Sequence, residues 1–99
     1  MIRGTTPQFE FMLPFSTDLL AEAYITFAQG CNNVLEKDLN DCTCEGEKII
    51  LRLSQADTLQ FNSGKKVDIQ MRVKTLEGEA LASDMIQTTV ERILKDGEI

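Results

Sequence analysis

Apolar and polar residues alternate without a break from Val67 to Lys74. Val67, Ile69, Met71 and Val73 share one side of an extended segment, and Asp68, Gln70, Arg72 and Lys74 take the other. That period of two is what a strand needs when one face is buried and the other meets water. Pro7–Leu13 repeats it, with Phe9, Phe11 and Leu13 opposite Gln8, Glu10 and Met12, and Pro14 closes it because proline cannot donate to a ladder. Ala23–Gln29 sets Ala23, Ile25 and Phe27 against Tyr24, Thr26 and Ala28, and its β-branched and aromatic residues suit a pleated surface. Val34–Leu39 is shorter and more charged, as edge strands are. Asp41–Glu45 and Lys48–Leu53 flank Glu45-Gly46-Glu47 as a hairpin, with Ile49, Leu51 and Leu53 on one face. Ala80–Ile93 supplies a last strand, and Lys95–Ile99 reads as a loose tail.

Between these runs lie turn signals: Gly30-Cys31-Asn32-Asn33, Asn40-Asp41 and Leu76-Glu77-Gly78-Glu79. Ser16–Glu22 is turn-rich, with room for one helical turn. At Ser54 the alternation stops. Ser54 can cap a helix and Asp57 can complete a weak capping box, so one helical turn is expected near residues 54–60, carrying Leu59 and Phe61 into the core. Short strands at regular spacing predict an all-β, immunoglobulin-like antiparallel β-sandwich spanning residues 1–94, followed by a tail at 95–99. A single sheet curled into a barrel is the alternative. The Val67–Lys74 strand should be central, its apolar face meeting Phe9, Phe11, Ile49 and Leu51.

Ninety-nine residues suffice for one domain with its own core. Ten basic and sixteen acidic residues give a net charge of −6, which argues against binding nucleic-acid phosphates or an anionic membrane surface. No apolar run approaches the ~18 residues of a membrane span, and the N-terminus lacks the apolar core of a signal peptide. A cytoplasmic location at synthesis is therefore expected. Three cysteines, an odd number, fit a reducing compartment better than a disulfide scaffold.

Candidate chemistry is sparse. The chain has no histidine, which removes the usual general base and the commonest metal ligand. Cys31, Cys42 and Cys44 fall one ligand short of a structural zinc site. Glu36, Asp38, Asp41, Glu45 and Glu47 lack the converging loop that calcium requires, and solvated strand edges account for them. Ser16, Ser54, Ser63 and Ser83 have no base and no nucleophile-elbow context. The expectation is a non-enzymatic domain with no cofactor, metal or small-molecule substrate. Apolar residues near both ends, Met1, Ile2, Ile93, Leu94 and Ile99, together with Phe15, form the candidate contact set for a protein partner or a second copy.

Several segments together carry a resemblance. Met1–Pro7, Leu13-Pro14-Phe15, Val34–Lys37, Leu53–Leu59, Gln70–Val73 and Gly78–Asp84 resemble a group of small, largely uncharacterised proteins, some called phage structural proteins, carried by phages and prophages of Gram-positive gut bacteria. The likeness spans nearly the whole chain and rests on overall pattern. It implies a virion or assembly role, synthesis in the host bacterial cytoplasm and association with other proteins, and it supplies no catalytic residue. A looser fold analogy is to the N-terminal β-sandwich of phage baseplate upper proteins. The alternative function is an acidic inhibitor that mimics DNA charge. It needs one continuous acidic face, whereas Lys37, Lys48, Arg52, Arg72 and Lys74 interleave with the acids.

Overall fold

The computed structural model describes residues 1–99, and the chain forms the two-sheet antiparallel sandwich that the alternation predicts. Its strands are β1 (Gln8–Met12), β2 (Leu20–Gln29), β3 (Asn32–Asp38), β4 (Cys42–Glu45), β5 (Lys48–Arg52), β6 (Lys66–Thr75), β7 (Ala80–Ala82) and β8 (Ile86–Thr89). A single helical turn, α1 (Gln55–Thr58), precedes β6. The smaller sheet runs β1-β5-β4. The larger runs β3-β2-β6, with β7 and β8 sharing the outer side of β6. Setting β1, β5 and β4 against β3, β6 and β7 is the division found in immunoglobulin-like domains, with β2 here in the larger sheet.

β6 is central, and its period of two does what the sequence requires. Val67, Ile69, Met71 and Val73 are buried in one core with Phe11, Ile49 and Leu51 of the smaller sheet. Phe9 is half-buried and meets Phe27 edge-on, ring centroids 5.7 Å apart at 64°, and Phe27 lies 6.0 Å from Phe61. Each such buried side chain contributes about 1.5–3 kcal/mol, so this layer dominates stability.

α1 forms where the capping signal stands. Ser54 Oγ accepts from the Asp57 N–H at 3.1 Å, and the Asp57 carboxylate accepts from the Ser54 N–H at 2.9 Å. Burial alone would raise the Asp57 carboxyl, but the Ser54 hydrogen bonds and the Lys37 ammonium at 3.2 Å hold it below its ordinary value. The buried Thr58 hydroxyl donates to the Thr5 carbonyl at 2.8 Å, tying α1 to the N-terminal segment. The buried Gln29 side chain clamps the loop after α1, donating to the Asn62 carbonyl at 2.9 Å and accepting its N–H at 2.8 Å. Phe61 reaches the core and Leu59 is half-buried.

Four local details depart from the alternation. β2 begins at Leu20 rather than Ala23, because a bulge lies between Leu20 and Glu22 and both Leu20 and Ala23 face the core. The Asn40-Asp41 turn is a 3-10 turn over Leu39–Asp41, capped reciprocally by Asp38 and Asp41. The last strand is interrupted. Between Ser83, bonded to Met71, and Ile86, opposite Ile69, Asp84 and Met85 oppose the single residue Gln70. Ser83 splices this bulge: its N–H donates to the Met71 carbonyl at 2.8 Å, and its Oγ accepts from the Met71 N–H at 3.0 Å. Finally, the 95–99 segment is tethered rather than loose. Asp96 meets Arg3 at 2.8 Å, and the Ile99 N–H donates to Gln55 Oε1 at 2.8 Å.

Candidate partner-binding surface

The six end residues do not form one surface. The Met1 carbonyl accepts from the Glu91 N–H at 2.9 Å, and the Arg3 N–H donates to the Glu91 carbonyl at 3.0 Å, so the N-terminal segment pairs in parallel beyond β8. This pairing places Met1, Ile2 and Ile93 at the end of the sandwich where β6 begins. Met1 packs half-buried against the core, and Ile93 packs over Gly4, with Cδ1 2.8 Å from where a Gly4 Cβ would sit. Leu94 and Ile99 are 90% and 94% exposed. Phe15 lies at the opposite end, where β6 finishes beside Thr75 and Leu76. The ten residues of β6 put about 30 Å between the two groups.

At the Phe15 end the molecule carries a continuous apolar surface. A concavity of about 370 Å³ is lined by Phe15, Leu19, Leu76 and Leu81, with Glu77 and Glu79 at its wall. A second, of about 250 Å³, adjoins it through Pro14, Phe15 and Leu81 and runs between Met12–Leu13 and β6–β7. Phe15 belongs to the contact set expected from the sequence, whereas Met12, Leu19, Leu76, Leu81 and Ile86, all exposed, do not.

The exposure of Leu81 and Ile86 has a specific cause. Leu81 pairs with Val73 and Ile86 with Ile69, so both project toward the core side of the larger sheet. They are nevertheless 37% and 48% exposed, while Val73 and Ile69 are buried. Three strands face a larger sheet whose outer edge is β7 and β8, and at the end of β1 a concavity lies between Met12–Phe15 and Leu81–Ser83. β4 lies toward the other side, where the Cys42 thiol reaches the Asp38 carbonyl at 3.4 Å.

The edge of β1 that borders this opening is unpaired. The Leu53 N–H donates to the Pro7 carbonyl at 3.0 Å and the Leu13 N–H to the Glu47 carbonyl at 2.8 Å. Odd-numbered residues of β1 therefore bond to β5. The backbone groups of Gln8, Glu10 and Met12 point away from it, and β1 has no second partner.

Elsewhere the polar groups are accounted for. No three cysteine or acidic side chains are grouped as metal ligands. Cys31 and Cys44 are exposed, Cys42 is half-buried, and all three are free thiols. Burial, with the neighbouring Cys44, Asp41 and Asp38, pushes the Cys42 thiol up to about 11. On the outer face of the larger sheet Glu22, Tyr24 and Glu36 are interleaved with Arg72 and Lys74. No helix is long and apolar enough to cross a membrane. Compared with protein families, with characterised sequences and with solved structures, the chain has no significant match.

Proposed function

We propose that this chain is a non-enzymatic structural or assembly module of a phage or prophage, acting through association with another protein. The observation that carries the reading is the apolar surface at the Phe15 end, where Met12, Leu19, Leu76 and Leu81 lie exposed around two joined concavities. Scattered apolar residues are normal on a protein surface, but a contiguous apolar opening flanked by a free strand edge is a feature of interaction sites. The resemblance of Met1–Pro7, Leu53–Leu59 and Gly78–Asp84 to phage proteins supports the setting. The mixed charges around Tyr24 give less support to a DNA-charge mimic, which requires a continuous acidic face.

Mass spectrometry of gradient-purified particles, from an induced culture carrying the gene, tests this role. The expected result is the chain co-purifying with particles in fixed proportion to a known virion protein. Its presence only in the particle-free lysate overturns a virion role, and normal particle yield after deletion of the gene overturns an assembly role.

A further inference from the structure

Beside β1 the molecule presents a free strand edge next to a partly exposed apolar face. We propose that it accepts one extended segment of another polypeptide, laid antiparallel along β1 and over the inner face of β7 and β8. This inference rests on the association reading and names the mode. Two sets of unsatisfied groups point to it from opposite sides. The backbone N–H and C=O groups of Gln8, Glu10 and Met12 point away from β5 with no strand to bond, and Leu81 and Ile86, on the core side of the larger sheet, are only partly covered, Leu81 beside Met12, Leu13 and Phe15. A single added strand satisfies both at once, which is strand addition in its usual form.

The geometry sets the ligand. The partners of Leu81 and Ile86 on β6 are Val73 and Ile69, four residues apart, or about 13 Å along a strand. An extended segment spans that distance with apolar side chains at positions i, i+2 and i+4. The concavity at the Phe15 end includes Glu77 and Glu79 in its lining and no basic residue. Because an antiparallel segment begins where β1 ends, the complementary Lys or Arg belongs at the N-terminal end of the ligand. A second copy paired through its own β1 would carry its β7 and β8 toward those of the first, so the occupant is a single extended strand of another polypeptide.

A random decapeptide display library, selected on the immobilised full chain, provides the probe. Selected peptides should share apolar residues at every second position and a Lys or Arg before them. Bound to the chain, they should slow amide exchange at Gln8, Glu10 and Met12. The Glu10→Pro variant removes one outward N–H at an edge strand, where proline is tolerated, and should weaken binding about fivefold to tenfold. Glu10→Ala removes only the carboxylate and should bind within about twofold of the parent, since the Lys48–Glu10 contact is a 3.8 Å surface pair. Circular dichroism of both variants checks that they fold. If Glu10→Pro does not fold, Leu81→Asp replaces it and should abolish binding.

Selected peptides that protect other amides, or that bind Glu10→Pro and Leu81→Asp as well as the parent, overturn strand addition and leave the association reading standing. A library that yields no binder, with the chain still found in purified particles, overturns strand addition alone. No binder and no chain in particles, with normal particle yield after gene deletion, removes both.

Discussion

Leu51 and Leu81 are both leucines directed toward the same core layer, and truncating each to alanine separates a covered position from an uncovered one. Leu51 lies on β5, fully buried between the sheets, so Leu51→Ala loses the transfer free energy of its side chain and leaves a cavity. For such a site the cost is about 2–5 kcal/mol, with ~3 kcal/mol a reasonable centre. Leu81 is 37% exposed and already borders an open concavity. Truncation there enlarges an open space rather than making a closed one. Only part of the usual 1.5–3 kcal/mol of leucine burial is lost, about 1 kcal/mol. Urea titration followed by far-ultraviolet circular dichroism reads both values, with equal slopes confirming that the unfolded states are comparable. In thermal unfolding a domain of this size should lose roughly 4–8 °C per kcal/mol. A Leu81→Ala cost equal to that of Leu51→Ala would mean that the inner face of β7 is covered in solution, contrary to the exposure of Leu81.

Three further outcomes follow from other parts of the fold. Asp57 has a folded pKa below the ordinary 3.8, so its stabilising contribution is complete above that value and is lost as pH falls through the folded pKa. Asp57→Ala, which removes the carboxylate half of the capping box and the Lys37 pair while leaving Ser54 Oγ on the residue-57 N–H, should cost about 1 kcal/mol near pH 7 and flatten the acid limb of a stability–pH curve measured by urea titration. Iodoacetamide at pH 8 should modify Cys31 and Cys44 well before Cys42, whose thiol near 11 leaves only about one thiolate in a thousand, as peptide mass spectrometry of a time course will show. Gly4→Ala should destabilise by more than ~1 kcal/mol in urea titration, because Gly4 has φ +79° and its added methyl would meet Ile93 Cδ1 at 2.8 Å.

The alternation of side chains was enough to identify β1 and β6, since an unbroken period of two assigns each residue to the core or to water. It was misleading where the backbone carries an extra residue. At the start of β2 the bulge puts Leu20 and Ala23 on one face, three residues apart, and the strand therefore looks shorter than it is. Between β7 and β8 the same device hides the division of the last strand behind Ser83, whose hydroxyl takes the place of a ladder carbonyl. The capping box at Ser54 and Asp57 was legible because both partners are local. The candidate surface was not. Alternation shows that Leu81 points inward but not how many strands lie opposite, and that number depends on β2 joining the larger sheet. Of the end residues, Met1 packs against the core, Ile93 packs over Gly4, and Ile2 pairs with Glu91 through its backbone while its side chain stays exposed.

β1 has one paired edge and one free edge, and amide hydrogen exchange of the unliganded chain reads this residue by residue. Exchange should alternate along the strand, slow at Phe9, Phe11 and Leu13, which bond to β5, and fast at Gln8, Glu10 and Met12, which point away from it. Slow exchange at all six amides in a monomeric sample would contradict it, because the edge proposed to receive a strand would already be paired.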